Sequence, residues 1–253
     1  MPPASGSVTV SVRDLQFRYR ADLPLVLDGA SLEVARGSRC LVVGANGAGK
    51  TTLLRVVGGK HMVAEEVVRV LGRPAFHDTD LTGEVEYLGG NFPFAVDLRV
   101  ADVVAGLVGV DRERLERLIA LLGVDLEWHM HRVSDGQRRR VQLMLGLARP
   151  RQVLLLDEVT TDLDLVARQD LLDFLHEESS RRGVTILYAT HILDRLELWA
   201  SHVCMMDAGR VVWMGELDRL PELAAARGAG SPAPLYEAVL GWLRARRGQP
   251  GAG

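Results

Sequence analysis

Cysteine is scarce in this chain, with Cys40 and Cys204 the only two among 253 residues. Both lie inside apolar, strand-like runs, which points to reduced thiols in a core and away from a disulfide framework or a cysteine-ligated metal. Long apolar runs are also missing. None reaches the ~18 residues of a membrane span, and the N-terminal residues carry no signal-peptide core. A role at a membrane would therefore need a separate membrane polypeptide. Basic charge is not in excess, with 30 Lys+Arg against 33 Asp+Glu, so direct nucleic-acid binding has no bulk electrostatic basis. What remains is an ordinary globular composition, 47% apolar and 25% charged. That is enough for one large α/β domain or at most two small ones, and no internal repeat divides it.

Residues 1–7 form a Pro/Gly/Ser lead expected to be disordered. Val8, Val10 and Val12 then alternate with Thr9, Ser11 and Arg13, the pattern of a half-exposed strand. A second such segment ends at the turn glycine of Ala35-Arg36-Gly37. Three later segments, Cys40 to Val43, Val153 to Leu156 and Thr185 to Ala189, are apolar without alternation. Parallel strands buried on both faces read this way. Each runs directly into chemistry-bearing residues, where open α/β sheets place their ligands. From about Phe92 to residue 148 the spacing turns helical, with Leu115, Leu118, Ile119 and Leu122 on one stripe. This reads as a helical subdomain inserted between two halves of the sheet. His202 to Met206 and Val211 to Met214 read as a β-hairpin. The main domain is placed at 8–223, a linker at 224–233, an amphipathic helix at 234–247 and a Gly/Pro tail at 248–253. Leu235, Val239, Trp242 and Leu243 share one face of that helix, which can pack on its own domain or meet a partner.

The first chemical motif is Gly44-Ala45-Asn46-Gly47-Ala48-Gly49-Lys50-Thr51-Thr52. Its glycines let backbone N–H groups curl around a β-phosphate, and the following helix aims its positive end at the same place. Lys50 supplies a charge between the β- and γ-phosphates, and Thr51 a hydroxyl for Mg²⁺. ATP and Mg²⁺ are therefore the expected ligands. Asp157, presented at the end of a buried strand, suits a direct or indirect hold on the metal. Glu158 beside it is the candidate general base for the attacking water. His191 closes another strand and can reach the γ-phosphate or orient Glu158. Ser134 and Gln137 are spaced as a capping box, so a helix begins there with its positive end exposed. Arg138, Arg139 and Arg140 occupy the first two turns, where cations oppose the helix dipole. That placement suggests an anion or acidic neighbour, with a solvated basic face as the plainer alternative.

These motifs, in this order, resemble the ATP-binding-cassette ATPases over roughly Val8 to Leu220. The resemblance implies a P-loop α/β fold with a mixed β core, an N-terminal antiparallel β subdomain and the inserted helical subdomain. It also implies ATP hydrolysis by a head-to-tail dimer, as a homodimer or with another cassette. Ser134, Gly136 and Gln137 would then complete the site on the partner's loop, and Asp162 and Asp164 would cross the interface. Tyr19 resembles the aromatic that stacks on adenine, with a core strand aromatic as the alternative. The stretch Met130 to Gln142 is similar to the signature of soluble single-cassette I-family (non-intrinsic) proteins of plants and of the fungal factor associated with the NOT complex. That likeness implies a cytoplasmic or also nuclear ATPase acting on a protein partner, a transcription or mRNA regulatory complex in the fungal case. The competing reading is a detached nucleotide-binding subunit of a membrane transporter. Two departures bear on it. Asp135 stands where a small neutral residue usually approaches phosphate, and Gly90 stands where transporters carry a glutamine, with Asn91 as an imperfect substitute.

Overall fold

The computed structural model describes residues 7–90 and 97–247. The expectations for the lead before Ser7, for Asn91 and Phe92, and for the tail at 248–253 fall outside the described residues. Two sheets build the domain. The smaller is antiparallel, in the order β2 (Leu27–Ala35), β1 (Val8–Phe17), β4 (Val68–Val70), β5 (Arg73–Pro74). The larger runs β10 (Arg210–Glu216), β9 (His202–Asp207), β3 (Arg39–Gly44), β8 (Thr185–Ala189), β7 (Val153–Asp157), β6 (Val85–Leu88). Strands β9, β3, β8, β7 and β6 are parallel to their neighbours, and β10 returns antiparallel through the hairpin at Ala208-Gly209.

The unbroken apolar strands are explained by cover on both sheet faces. In β3 and β7, Leu41, Val43, Leu154 and Leu156 face one core cluster, with Leu118, Met144 and Phe174 from helices. Their alternates Cys40, Val42, Val153 and Leu155 face the other, with Leu53, Leu54 and the small sheet. Both cysteines are free and buried in or beside that second cluster. Burial pushes the Cys204 thiol up to about 12, so it is not a nucleophile.

Strand β1 corrects one detail of the alternation. Val8 is 44% exposed while Thr9 is buried, because the β1–β2 register shifts between Val8 and Val10. The bulge moves one residue to the opposite face. Between β6 and β7 lie α2 (Val100–Ala105), α3 (Arg112–Leu122) and α4 (Asp135–Leu147), the inserted helical layer. Helix α1 (Lys50–Val57) follows β3, α5 (Leu165–Arg182) follows β7, and α6 (Leu196–Trp199) precedes β9.

After β10 come α7 (Pro221–Gly228) and α8 (Pro234–Arg247). The linker expected from residue 224 is thus helical in its first half. Pro221 sits in the first turn, where its missing N–H costs nothing, and the alanines that follow favour helix over coil. On α8, Leu235, Val239 and Trp242 are buried in the first core cluster, and Leu243 packs against it. That helix packs on its own domain.

Candidate active site

The glycine loop links β3 to α1, and its conformation needs glycine. Gly49 has φ 99°, and a Cβ there would stand 2.8 Å from Leu27 Cδ2. The loop, with Val26, Asn46, Gly47, Gly49, Lys50, Thr51, Thr52, Asp157 and Glu158, lines a cavity of about 340 Å³. The loop leaves the carboxyl end of β3 and Asp157 ends β7, so two strand ends serve the cavity.

Within the cavity the Lys50 ammonium donates to Gly44 O at 2.8 Å and Ala45 O at 3.0 Å. Burial lowers its pKa, and the Glu158 and Asp157 carboxylates oppose that shift. Asp157 is only 6% exposed. Its Oδ1 accepts from the Thr51 hydroxyl at 3.1 Å, and its Oδ2 from the Tyr87 phenol at 2.9 Å. A hydroxyl and a carboxylate facing each other beside a phosphate loop are oxygen donors of the kind Mg²⁺ takes. The residues present fit that ion.

Glu158 lies one residue past β7 with φ 52°, a left-handed backbone that costs a non-glycine residue about 1–3 kcal/mol. The conformation turns the side chain toward His191. His191 Nδ1 is 3.0 Å from Glu158 Oε2, and the His191 backbone N–H points at the same oxygen at 3.4 Å. Facing a carboxylate, Nδ1 is the protonated nitrogen. Glu158 and His191 therefore meet because they follow the ends of adjacent strands, β7 and β8.

Tyr19 lies past the end of β1 and is 45% exposed, so it is not a core strand aromatic. Its hydroxyl pairs with Thr52 Oγ1 at 3.0 Å, and its ring meets Phe17 and His61 edge-on at 5.2 and 5.3 Å. Sequence reasoning missed two parts of this neighbourhood. Tyr87 bridges Asp157 to Arg55, whose Nε donates to the phenol at 3.4 Å. Burial first, then the neighbouring carboxylate, pushes the Tyr87 phenol up to about 12, which keeps it a donor. Gly89 makes room for it, since a Cβ would sit 2.8 Å from the Tyr87 hydroxyl and 2.6 Å from Asp157 Cβ. His61 packs against Tyr19 and Phe17 from a loop after α1. Neither residue stands in a motif; the parallel pairing of Tyr87 opposite Leu155 brings it to the site.

The remaining candidates lie elsewhere. Ser134, Gly136, Gln137 and Asp164 are not among the residues lining the cavity. Both halves of the capping box are made: Gln137 N–H to Ser134 Oγ at 3.2 Å, and Ser134 N–H to Gln137 Oε1 at 2.9 Å. Asp164 caps α5 by accepting from Ala167 N–H at 2.9 Å. Gly136 backs onto the Asp162 carbonyl. The arginines find acidic neighbours: Arg138 with Asp135 at 3.0 Å, Arg139 with Asp162 at 3.8 Å, and Arg140 with Asp164. The Arg139 and Arg140 pairs tie the start of α4 to the segment that leads into α5. At the position where transporters carry a glutamine, Gly90 offers only its carbonyl, which accepts from Arg139 at 3.1 Å.

The ABC transporter family matches residues 27–161. ABC transporter I family member 21 of Arabidopsis thaliana is 48% identical over 94% of this chain and 86% of its own length. CCR4-associated factor 16 of Saccharomyces cerevisiae is 41% identical over 80% of this chain and 77% of its own. Among solved structures, the ATP-binding subunit of an ABC transporter superposes with TM-score 0.72 at 25% identity, covering 95% of this chain and 100% of that one. With the phosphate loop, the paired carboxylates and the capped signature helix in place, the chain belongs to the ABC family and is an ABC-type ATPase.

Proposed function

We propose that this chain binds and hydrolyses Mg²⁺-ATP as one half of a head-to-tail pair of cassettes and moves a protein partner through the closing and opening of that pair. One observation carries the reading: the site is split within the chain. The loop, Asp157 and Glu158 line one cavity and His191 reaches Glu158 at 3.0 Å, while the exposed start of α4, with Ser134 and Gly136, takes no part in lining it. A helix N-terminus with its backbone donors outward is a ready phosphate partner for a second copy. Thr51 and Asp157 would hold Mg²⁺, which when bound neutralises developing charge on the phosphates. Glu158 would draw a proton from the attacking water, with His191 holding its carboxylate in place. Lys50 would turn from the loop carbonyls toward phosphate oxygens.

The partner in this reading is a regulatory complex of gene expression, and the setting cytoplasmic, also nuclear. The relative named CCR4-associated factor 16 and the I-family likeness support it. So does Gly90, which offers a membrane subunit no side chain. The second reading, a detached transporter subunit, is favoured by relatives such as an energy-coupling factor transporter ATP-binding protein of Methanoculleus marisnigri, 33% identical over 85% of this chain. Among the described residues no helix is long and apolar enough to cross a membrane, so either reading needs a second polypeptide. The test is Glu158→Gln protein with Mg²⁺-ATP on a sizing column, followed by affinity capture. The expected result is a dimer that reverts with ADP and recovers regulatory proteins. A monomer at all ATP and protein concentrations would refute the homodimeric sandwich, and recovery of integral membrane proteins would favour the transporter reading.

A further inference from the structure

Away from the nucleotide cavity, three metal-ligating side chains converge at the base of the helical layer. Residues 97–99 lead into α2, and 128–131 lead toward α4. They run antiparallel, with Val100 N–H on Trp128 O and Met130 N–H on Leu98 O, both at 2.9 Å, and a β-bridge between Arg99 and His129. At His129 the chain enters a turn closed by the Arg132 N–H on His129 O at 2.9 Å. Met130 is buried in the core at 0% exposure, while the turn leaves His129 and His131 outside it, each 42% exposed. Asp97, across the ladder from them, turns one oxygen to both rings. His129 Nδ1 is 3.1 Å from Asp97 Oδ1, and His131 Nδ1 contacts the same atom. The three ligand atoms all lie within 4.8 Å of one another.

We propose that Asp97, His129 and His131 form a binding site for a borderline divalent transition ion, zinc being the natural candidate. Two imidazole nitrogens and one carboxylate oxygen match that class, with water filling the remaining positions, whereas Mg²⁺ and Ca²⁺ take oxygen ligands. Arg99, bridged to His129 through the backbone, is engaged by Asp102 and Glu127, both at 3.2 Å, and not by the cluster. Arg132 donates to His131 Nε2 at 3.0 Å, so His131 carries its proton on Nδ1 in this state. Loading the ion shifts that proton to Nε2 and frees the exposed Arg132 side chain, with no net proton lost. The bound ion would pin the two segments together three residues before Ser134, the cap of α4. It would thereby order the approach to the signature helix.

The test uses the full chain without an affinity tag, in saturating Mg²⁺ and without nucleotide, so its outcome does not depend on the ATPase reading. Co²⁺ is titrated while visible d–d absorption is followed, and Zn²⁺ binding is measured by calorimetry. One equivalent of Co²⁺, displaced by Zn²⁺, is expected. His129→Ala and His131→Ala should each weaken binding by more than the roughly tenfold that even outer-shell changes cost. Hydrogen exchange across 129–138 should slow on Zn²⁺ addition in the parent protein only. The proposal is overturned if the folded parent binds no Zn²⁺, or if the His129→Ala/His131→Ala double variant, shown folded by circular dichroism, binds it equally well.

Discussion

Removing one hydroxyl, by Tyr87→Phe, tests whether Asp157 is held from both sides. In the structure Thr51 supplies the donor to Oδ1 and Tyr87 the donor to Oδ2 of a carboxylate that is 6% exposed. Phenylalanine keeps the ring packing and creates no large cavity, so the change removes only the phenol's bonds, the short one to Asp157 and the longer one from Arg55. Bonds to charged groups contribute about 1.5–3 kcal/mol, and a buried acceptor left without its donor loses a similar amount. Tyr87 is half-buried, so water can partly replace it, and the low end applies: ~1.5 kcal/mol. For a protein of this size each kcal/mol moves Tm by about 2–4 °C, so a fall of roughly 3–6 °C is expected. The freed oxygen also leaves the metal-facing carboxylate able to rotate. Outer-shell changes of this kind weaken metal affinity on the order of tenfold. The Mg²⁺ concentration giving half-maximal ATPase should rise accordingly, while Mg²⁺-free nucleotide affinity stays put. The assays are a thermal melt and ATPase rates across a Mg²⁺ series. If Tm and the Mg²⁺ midpoint both match the parent protein, Tyr87 does not position Asp157.

Glu158→Gln should retain ATP binding yet lose about 10²–10⁴-fold in turnover, the usual span for a general base; parent-like steady-state rates would remove Glu158 from that role. Asp135→Gly should tighten the ATP-bound dimer, since it removes a carboxylate that is 89% exposed at the start of α4 and releases Arg138; a looser dimer by sedimentation would show that Asp135 makes a productive contact. Arg114 and Glu178 form a bidentate pair, at 2.8 Å for both bonds, with side chains only 8% and 6% exposed. Arg114→Met should cost about 3–5 kcal/mol in urea unfolding by leaving the buried glutamate only Arg182, at 4.0 Å, whereas a loss below 1 kcal/mol would mean that Arg182 or water compensates it. Asp164 has its carboxyl held below the ordinary 3.8, first by the Ala167 N–H and then by Arg140. A lowered folded pKa gives stability that is present above 3.8 and lost as pH falls through the folded value. Asp164→Asn keeps the cap but should flatten that acid limb in melts taken between neutral pH and about pH 3; an unchanged limb would refute the assignment.

Much of this protein is legible in the sequence because its chemistry is local. A phosphate loop needs glycines, a lysine and a hydroxyl at fixed spacing, and Gly44 to Thr52 state them in nine consecutive positions. Asp157 and Glu158 follow their strand directly, and the Ser134–Gln137 cap closes within one turn. The unbroken apolar runs of β3, β7 and β8 likewise announce strands covered on both faces. Contacts between elements distant in sequence were decided only by the fold. The Tyr87–Asp157 bond spans 70 residues, and it exists because β6 lies parallel to β7 in one register. The pairing of Glu158 with His191 needs β7 beside β8 and a left-handed turn that no motif encodes. The arginines of α4 looked unfavourable at a helix start until the segment before α5 supplied Asp162 and Asp164 to two of them. Even the helix that runs into the expected linker, Pro221 to Gly228, depends on a core into which Leu223 is buried. Spacing along a chain specifies what a few adjacent residues can hold. Which distant side chain completes the hold depends on strand order and register, and those are set by the packing of the whole domain.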